Sequence, residues 1–404
     1  MKIKPFIIAI SVIIFGFYSF SIGRWGVFPY PILKSIYHLY RDNIYATDGR
    51  ALDKFQGIGS DNRAEIWDAS SPDKKMLANS ILLNNFKLDW KIIDNKNIGK
   101  TAATKLIDGN VLFLNQDSQY ILSKIKLNEK NKIKNLVIKS VFEYKNKTIL
   151  YILYIKGKCL TAELLQLKDN KTLIKFNCLP MEFAEFNGAG GALLKLNESE
   201  FLLGTGVPVK AQANNEIYKD AQNDKSYWGK ILKLDFSSGN LKVIIFSKGF
   251  RNPQGITKLD GNLYAVEQGP HGGDEINLIV EGGNYGWPIQ SFGSEYDFSK
   301  IEKYYTKIKN NKLPLYTFMP SIGISDISKC PINYASYYHP FSCLAVSSLR
   351  DGSIYFLVFF KNKVLFNERM NFNYRIRKLF VSDDKIFGVT DYAGVITGRL
   401  SELH

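Results

Sequence analysis

Short runs of apolar and β-branched residues, separated by turn residues, recur over more than 300 residues of the chain. Three clear runs are GKILKLDF at 229–236, LKVIIFS at 241–247 and SIYFLVFF at 353–360. Many short strands without long intervening helices are typical of closed β architectures, and we interpret this chain as an all-β fold, a β-propeller rather than a large sandwich. Helical patterns are scarce, but KMLANSILLNNF at 75–86 predicts a short helix.

The start of the chain predicts a membrane anchor. Residues 5–23 are uncharged and largely apolar, with two lysines before them and Arg24 after them. A helix of that length spans about 28 Å, which is enough to cross a bilayer, and Ser19-Phe20-Ser21 makes a poor signal-peptide cleavage site. We therefore expect an uncleaved N-terminal transmembrane helix, with the rest of the chain on the periplasmic or extracellular side, and a cleaved signal peptide is the alternative.

The chain divides into three predicted segments: an anchor (or uncleaved signal) at 1–28, a juxtamembrane linker at 29–75 and the propeller at 76–404. Lys and Arg total 53 against 38 Asp and Glu, which gives a net charge of +15. Only 10 of these cations are Arg, and the lysines are spread out without a block of five or six. This pattern is typical of a solvated lysine-rich surface, so we expect no nucleic-acid partner.

Four cysteines lie beyond the predicted anchor, at Cys159, Cys178, Cys330 and Cys343. An even number of cysteines in an exported chain indicates disulfides, and four cysteines allow three connectivities. We favour the local pairs Cys159–Cys178 and Cys330–Cys343 because each closes a short loop. Four buried free thiols are the alternative, and no cysteine spacing fits a structural zinc site.

Residues 249–288 are unusually rich in glycine, proline and polar residues, more than a strand, turn and strand require. Arg251, Asn252 and Gln254 share one turn, where a guanidinium and amides can converge on a planar, oxygen-rich ligand. The pair Gly272-Gly273 lets the backbone bend and turn carbonyl oxygens towards a hard cation such as calcium. The alternative is that Asp274, Glu275 and the glycines only hold together a tight loop between neighbouring sheets.

The same segment resembles the soluble aldose sugar dehydrogenases that use pyrroloquinoline quinone (PQQ), the glucose/sorbosone dehydrogenase family. The resemblance is carried by G-x-RNPQG, E-x-GP-x-GGDE-x-N and NYGWP. It extends to AQNDKSYWGKILKLD at 221–235, MPSIGIS at 319–325, SSLRDGSIY at 347–355 and NYRIRKL at 373–379, and so covers roughly residues 185–400. The resemblance implies a six-bladed β-propeller.

The resemblance also implies roles for individual residues. A calcium ion that docks on PQQ would be held by the backbone carbonyls of Gly269 and Pro270. Contacts to the quinone would come from Arg251, Asn252 and Gln268. The pair Arg375 and Arg377 would hold its carboxylates, and three further residues would line the cofactor, namely Arg350, Tyr316 and Ser321.

The chain departs from the family at the catalytic base. Gly188 occupies the position of the family's histidine, which takes the proton of the sugar hydroxyl while hydride passes to the quinone. Ala192 stands where an arginine follows, and Thr205 where an acidic residue is expected. Arg251 and His271 are therefore the remaining catalytic candidates, with His271 as a substitute base inside the signature.

Two functions stay open on this sequence. The first is a membrane-tethered, PQQ- and calcium-dependent dehydrogenase that oxidises a small sugar or a related alcohol or aldehyde and passes electrons to an unknown acceptor. The second is a catalytically inactive propeller that binds a ligand or a protein. The retained cofactor residues favour the first function, and the missing base favours the second.

Overall fold

The computed structural model describes eight ranges of the chain: 79–93, 101–107, 110–115, 137–167, 169–209, 217–294, 311–391 and 394–403. The predicted anchor and linker lie outside these ranges. Within them, no helix combines the length and the apolar character that a membrane span needs. The described residues all belong to one compact unit, residues 74–404.

The strands of the described residues are short and follow one another closely. The first half of the unit contains β1 (Asn79–Leu82), β2 (Phe86–Ile93), β3 (Thr101–Ile107), β4 (Asn110–Asn115), β5 (Val137–Tyr144), β6 (Lys147–Lys156), β7 (Cys159–Gln166), β8 (Lys171–Lys175), β9 (Leu179–Pro180), β10 (Gly190–Lys195), β11 (Glu200–Thr205), β12 (Lys230–Asp235) and β13 (Lys242–Lys248). The second half contains β14 (Pro253–Leu259), β15 (Asn262–Glu267), β16 (Asp274–Ile279), β17 (Gly283–Asn284), β18 (Tyr316–Phe318), β19 (Ile324–Lys329), β20 (Ser342–Ser348), β21 (Ser353–Phe360), β22 (Lys363–Asn371), β23 (Ile376–Ser382), β24 (Lys385–Thr390) and β25 (Val395–Glu402).

These strands form six sheets. We call the strand at the channel the first strand of its sheet, and we number the sheets in the chain order of these strands: β3, β5, β10, β14, β19 and β23. Sheet 1 is β3-β4, sheet 2 is β5-β6-β7-β8 with β9 on β7, and sheet 3 is β10-β11-β12-β13-β17. Sheet 4 is β14-β15-β16-β18, sheet 5 is β19-β20-β21-β22, and sheet 6 is β23-β24-β25-β2-β1. Neighbouring strands are antiparallel except for the parallel pair β13 and β17.

The first strands of the sheets contact one another in a closed ring, β3, β5, β10, β14, β19, β23 and back to β3. Sheet 6 closes the ring because β2, from the start of the unit, pairs with β25 from its end, from Phe86↔Glu402 to Ile93↔Val395. Radial sheets around a channel, closed by strands from both ends of the chain, define a β-propeller. The predicted all-β propeller architecture is confirmed, while the N-terminal helix lies outside the described residues.

The predicted short helix at 75–86 is wrong over the residues that the structure describes. Asn79–Leu82 is an edge strand, β1, paired with β2. Side chains of β2 alternate, with Phe86, Leu88 and Trp90 buried and Asp89 exposed, which is the two-residue period of a strand. The helices of the described residues are short, namely a 3-10 helix at Ile217–Ala221 and α1 at Ile332–Tyr337.

The core consists of side chains packed between neighbouring sheets. Between sheets 2 and 3, Phe142 lies 4.7 Å from Phe201, measured between ring centroids, and Tyr144 stacks on Phe236 at 4.5 Å. Aromatic pairs of this kind stabilise by about 0.5–1.5 kcal/mol beyond the area they bury. The sheets are therefore held rigidly enough to position residues at the ends of their strands.

Both local disulfides are confirmed, Cys159–Cys178 and Cys330–Cys343. The first joins the start of β7 to the segment after β8, and the second joins the end of the β19 hairpin arm to the start of β20. The two crosslinks join cysteines that are 19 and 13 residues apart in the sequence, and each closes a short loop within one sheet. All four cysteines are paired, which excludes the alternative of free thiols.

Candidate functional site

Every first strand carries a β-bulge near its start. The register shifts by one residue at the second or third position of the strand, and the bulged residues are Ala102, Lys139, Gly191, Gln254, Ser325 and Arg377. A bulge leaves one residue out of the ladder and re-aims its side chain. The six bulges therefore form a ring around one end of the channel, and we call this end the mouth.

Most of the sequence-predicted site residues lie at this mouth. Arg251 and Asn252 come directly before β14, and Arg375 comes directly before β23. Because the second strand of each sheet runs antiparallel to the first, it ends where the first begins, and Gln268 and Gly269 follow the end of β15. Arg350 likewise follows β20. The topology thus collects residues from sheets 4, 5 and 6 at one place.

Arg251 is held over the mouth by contacts on several sides. Its Nη1 donates to the carbonyl oxygens of Gln268 at 3.1 Å and Gly269 at 2.8 Å. The guanidinium carbon lies 5.6 Å from the centre of the Trp287 ring, within cation–π range. Its Nε is buried and makes no hydrogen bond within the described residues. One donor of the guanidinium is therefore left for a ligand.

Three side-chain amides form a network beneath Arg251. Asn252 Oδ1 accepts from the backbone N–H of Gly190 at 3.0 Å and from Gln254 Nε2 at 2.6 Å. Asn252 Nδ2 donates to Gln268 Oε1 at 3.0 Å, and Gln268 Nε2 donates to the carbonyl of Ile324 at 2.9 Å. These bonds tie sheets 3, 4 and 5 together. Asn252 and Gln268 thus face the mouth and also hold the neighbouring sheets together there.

Arg375 and Arg377 meet at a buried carboxylate, Asp391, which sequence reasoning missed. Arg375 Nε donates to Oδ2 at 3.0 Å, while Arg377 Nε donates to Oδ1 at 2.5 Å and its Nη2 to Oδ2 at 2.9 Å. Burial raises the pKa of Asp391, but the Arg377 and Arg375 guanidiniums outweigh burial and hold it below its usual value. The group of three carries a net charge of +1 and faces the mouth.

The glycine-rich loop after β15 is fixed by Asp274. The Asp274 carboxylate accepts from the backbone N–H of Gly269 at 3.1 Å and of Ile324 at 2.9 Å. A Cβ on Gly269 would lie 2.2 Å from the carbonyl oxygen of Gly273, so only glycine fits there. His271 follows Pro270 and pairs with Ser294 through backbone hydrogen bonds of 2.8 and 3.0 Å.

Two more carboxylates are buried under the loop and share one amide. Asn277 Nδ2 donates to Glu267 Oε1 at 3.2 Å and to Glu275 Oε2 at 3.1 Å. Burial raises the pKa of Glu267 to about 7, although the backbone N–H groups of Arg251 and Asn252 oppose the shift. Burial first and the Glu267 charge second raise the pKa of Glu275 well above its usual value. From the sequence, Glu275 was considered only as a residue that holds the loop together, and Glu267 was given no role.

The positions that depart from the family offer no proton acceptor. Gly188 has φ +78°, and a Cβ there would meet the Val207 carbonyl oxygen at 3.4 Å. Ala192 is fully buried. Thr205 is also buried, and its hydroxyl lies 3.1 Å from both the carbonyl oxygen and the backbone nitrogen of Lys230. None of the three side chains titrates near neutral pH.

The remaining predicted residues lie at different places. Ser321 precedes β19 at the mouth, and the exposed Arg350 donates its backbone N–H to the Ile322 carbonyl at 3.0 Å. Tyr316 lies instead on β18, the outermost strand of sheet 4, and its hydroxyl accepts from Asn367 Nδ2 at 3.4 Å on β22. The structure does not bring Tyr316 together with the other candidates, because an outer strand is remote from the channel.

A β-propeller with arginine, amide and carbonyl groups gathered at one mouth of its channel is the class that this fold and site define. The chain belongs to the glucose/sorbosone dehydrogenase family, whose model matches residues 138–397. The sequence resemblance at residues 249–288 is thereby confirmed.

Individual relatives are distant. Quinoprotein glucose dehydrogenase B of Acinetobacter calcoaceticus is 40% identical over 92 residues, which are 20% of this chain and 18% of that protein. The chain spans less than two fifths of the length of the curated relatives that it matches.

Solved structures show the shared fold. The soluble aldose sugar dehydrogenase from Escherichia coli, in its apo form, is 18% identical with a TM-score of 0.62, covering 78% of this chain and 100% of that chain. The PQQ-bound form of an aldose sugar dehydrogenase from Streptomyces coelicolor is 17% identical with a TM-score of 0.54, covering 81% of this chain and 100% of that chain.

The donors at the mouth fit a planar polycarboxylate quinone. Arg251 lies over Trp287 with its buried Nε unpaired, which suits an additional acceptor. The carbonyl oxygens of Gln268 and Gly269 accept from a cationic nitrogen, Nη1 of Arg251, and therefore lie where they can also face a calcium ion. Among the described residues, no group of three His, Cys, Asp or Glu side chains could hold a metal ion, so carbonyl oxygens would have to do so.

Proposed function

We propose that this propeller binds PQQ, with a calcium ion, at the mouth of its channel and is a divergent sugar dehydrogenase with a weakened proton-transfer step. The observation that carries the proposal is the convergence of Arg251, Gln268, Gly269, Arg375 and Arg377 at one mouth. When bound, PQQ supplies the hydride acceptor for oxidation of a sugar, alcohol or aldehyde.

The residues of this chain hold and orient the cofactor in this proposal. Arg251 offers a charge-assisted donor at Nε, and its position is fixed by the Gln268 and Gly269 carbonyls and by Trp287. Arg375 and Arg377 present positive charge to carboxylates, since their shared Asp391 cancels only one of two charges. Calcium would be held by backbone carbonyls of the loop that contains Gly269 and Pro270. A carbonyl oxygen has two lone pairs, so that of Gly269 could keep its bond from Arg251.

Proton transfer is the step that these residues support least. Without an imidazole at Gly188, the hydroxyl proton of a sugar has no acceptor there, and loss of a general base costs about 10²- to 10⁴-fold in rate. His271 is the substitute that we propose, and its segment is fixed beside the loop by the backbone pair with Ser294. Slow oxidation of common aldoses is therefore the expected behaviour of the PQQ-loaded protein.

The binding test is direct. The full chain is mixed with PQQ and calcium, and the absorbance of the bound quinone is followed to obtain a dissociation constant. Arg251→Ala removes a charge-assisted contact of about 1.5–3 kcal/mol, so affinity is expected to weaken by about ten- to a hundredfold. Arg399→Ala is the control, because Arg399 is a largely exposed arginine that pairs with Asp384 on sheet 6.

Equal PQQ affinity in the parent and in Arg251→Ala, or no binding by the parent, contradicts the proposed cofactor site. A second function follows if PQQ binds but aldoses are not oxidised at all. The propeller would then be a catalytically inactive binding module for a ligand or a protein. The absence of ionisable side chains at Gly188, Ala192 and Thr205 is the observation that favours this second function.

We also propose that residues 1–28 tether the propeller to a membrane, with the propeller on the periplasmic or extracellular side. The uncharged stretch at 5–23 supports the tether, and two disulfides fit an oxidising compartment. Carbonate extraction of membranes and mapping of the mature N-terminus test this proposal. A carbonate-soluble protein that begins near residue 22 would show that the segment is a cleaved signal.

A further inference from the structure

Exposed apolar side chains gather at the end of the channel opposite the mouth, on sheets 5 and 6. Each first strand begins at the mouth and its neighbours alternate in direction, so the α1 segment, the β21–β22 turn, the β1–β2 turn and the end of β25 lie at the opposite end. The exposed large apolar residues there are Leu82, Ile332, Tyr337, Phe341, Phe360 and Leu403. Their exposed fractions run from 38% at Phe341 to 69% at Leu82. We call these six residues the apolar patch.

The segments that carry the patch contact one another and form one surface. The rings of Phe341 and Phe360 lie 5.9 Å apart, measured between centroids. The backbone N–H of Phe341 donates to the carbonyl of Tyr338 at 2.9 Å, and the Tyr338 hydroxyl accepts from Asn85 Nδ2 at 3.3 Å. The carbonyl of Asn85 in turn accepts from the backbone N–H of Leu403 at 2.9 Å. A continuous exposed apolar surface of this kind marks an interaction site.

The helix at the centre of the patch, α1, is fixed to the sheets beneath it. Asn333 Nδ2 donates to the carbonyl of Leu400 on β25 at 2.7 Å. The buried Tyr334 donates its hydroxyl to the carboxylate of Glu368 on β22. The second disulfide joins the two ends of the segment that contains α1. The patch is therefore formed before any partner binds, and little ordering is needed when it docks.

Charged residues surround the apolar patch, and most of them are lysines. The exposed lysines at this end of sheets 5 and 6 are Lys329, Lys361, Lys363 and Lys385. The Lys361 ammonium lies 5.5 Å from the centre of the Phe360 ring. Two exposed acids, Asp383 and Glu402, lie at the same end, while Asp384 is paired with Arg399. Aromatic and aliphatic side chains with lysines beside them are typical of surfaces that lie in the headgroup region of a bilayer.

We propose that the apolar patch rests on an anionic phospholipid surface, with the mouth of the channel turned away from the membrane. This inference rests on the proposed tether at residues 1–28, which would hold the patch near a bilayer at a high effective concentration, and not on the proposed cofactor. A lipid surface fits the patch better than a protein that accepts electrons, because such a protein would have to approach the mouth at the opposite end.

The test uses the full chain in vesicles of phosphatidylcholine and phosphatidylglycerol. A fluorophore is attached either to Phe360→Cys in the patch or to Met319→Cys, which follows β18 at the mouth end. Both positions are exposed, and all four native cysteines are paired, so only the introduced cysteine reacts. Lipids with brominated acyl chains quench a fluorophore that touches the bilayer. We expect quenching at position 360 to be several-fold stronger than at position 319.

Two further variants show whether the patch itself makes the contact. Phe341→Ser removes the ring beside Phe360, and quenching at position 360 should weaken by at least about twofold because less apolar area is buried in the bilayer. Met319→Ser is the matched control, since it removes an exposed apolar side chain at the other end and should leave that quenching unchanged. Vesicles of phosphatidylcholine alone should also weaken it, because the lysines lose their anionic headgroups. Thermal melting verifies that both variants fold.

The other outcomes contradict the proposal in different ways. Equal and weak quenching at both positions of a vesicle-bound chain would mean that docking is wrong and the tether stands. Energy transfer between labels at position 360 that rises with the protein-to-lipid ratio, without quenching by lipid, would mean that a second copy covers the patch. If the chain does not associate with vesicles, the tether and the docking are both wrong. PQQ affinity should be equal in the parent and in Phe341→Ser, so the cofactor proposal stands or fails separately.

Discussion

The two sides of the channel mouth differ in the side chains that they present. Sheets 4 and 6 bring Arg251, Gln268, Arg375 and Arg377 to the mouth, with most of their donors fixed by neighbouring groups. Sheet 3 brings small or neutral residues, namely Gly188, Gly191, Ala192 and Thr205. In the proposed function, the groups that would hold the cofactor lie on sheets 4 and 6, and the position of the missing base lies on sheet 3. One set can change while the other is retained.

Sheet 3 has nevertheless kept the polar residues on which its own fold depends. The fully buried Lys230 donates from Nζ to the carbonyl oxygens of Asp220 at 2.6 Å, Ala221 at 3.0 Å and Trp228 at 2.8 Å. Its backbone also bonds the Thr205 hydroxyl. Sheet 3 therefore differs from sheets 4 and 6 in its chemistry at the mouth and not in the polar contacts of its interior.

Lys230→Met tests that distinction with the largest expected effect. The substitution keeps the length of the side chain but leaves three carbonyl oxygens without their donor, so the free energy of unfolding should fall by about 3 kcal/mol. Chemical denaturation measures the change. Lys233→Met on the same strand is the control, because its partly exposed pair with Glu200 should contribute less than about 1 kcal/mol. Equal stability of the two variants would mean that Lys230 is dispensable.

Gly188→His addresses the missing base directly. We expect aldose oxidation by the PQQ-loaded protein to rise by about a hundredfold, since an imidazole returns to the mouth. Position 188 has a left-handed φ of +78°, which a histidine adopts less readily than a glycine. We therefore expect the substitution to lower the free energy of unfolding by about 1–2 kcal/mol, although the new Cβ has room at 3.4 Å from the Val207 carbonyl oxygen. Gly188→Ala is the matched control, because it adds the same backbone strain without the imidazole.

Rapid aldose oxidation by the unmodified protein would contradict the proposed difference between sheets 4 and 6, which hold the cofactor, and sheet 3, which lacks the base. It would show that Gly188 does not limit turnover and would point to His271 or another group as the base. A histidine variant that folds, binds PQQ and gains no activity over Gly188→Ala would place the defect elsewhere on sheet 3, at Ala192 or Thr205.

The sequence was sufficient for the features that depend on local pattern. Alternating apolar runs and turn dipeptides predicted an all-β propeller, and short loops predicted both disulfides. The predicted helix at 75–86 failed because pairing of β1 with β2 overrides a local helical pattern. Asp391 was missed because its relations to Arg375 and Arg377 arise only when β24 pairs with β23, with a bulge at Arg377. No local signal encodes those relations.

Two buried acids of sheet 4, Glu267 and Glu275, provide the last and smallest test. They test whether the polar residues at this side of the mouth lower the stability of the protein. Glu275 is buried beside Glu267, and burial raises the pKa of both above the unfolded value of about 4.3. A carboxyl whose folded pKa is raised favours the folded state most below the unfolded pKa, and this contribution is lost as the pH rises through the folded pKa.

For Glu267 that folded pKa is about 7, so stability should decline between about pH 5 and pH 8. Glu275→Gln replaces a carboxyl that ionises more readily in the unfolded chain than in the folded protein, and its amide can donate to the neighbouring carboxylate. We expect the variant to be about 1 kcal/mol more stable than the parent at pH 8 without added metal, and nearly equal at pH 5. Denaturation series at both pH values measure the difference, with the exposed Glu281→Gln as the control. A variant that is less stable than the parent at pH 8 would mean that ionised Glu275 stabilises the loop under Arg251, and that the retained side of the mouth carries no such cost.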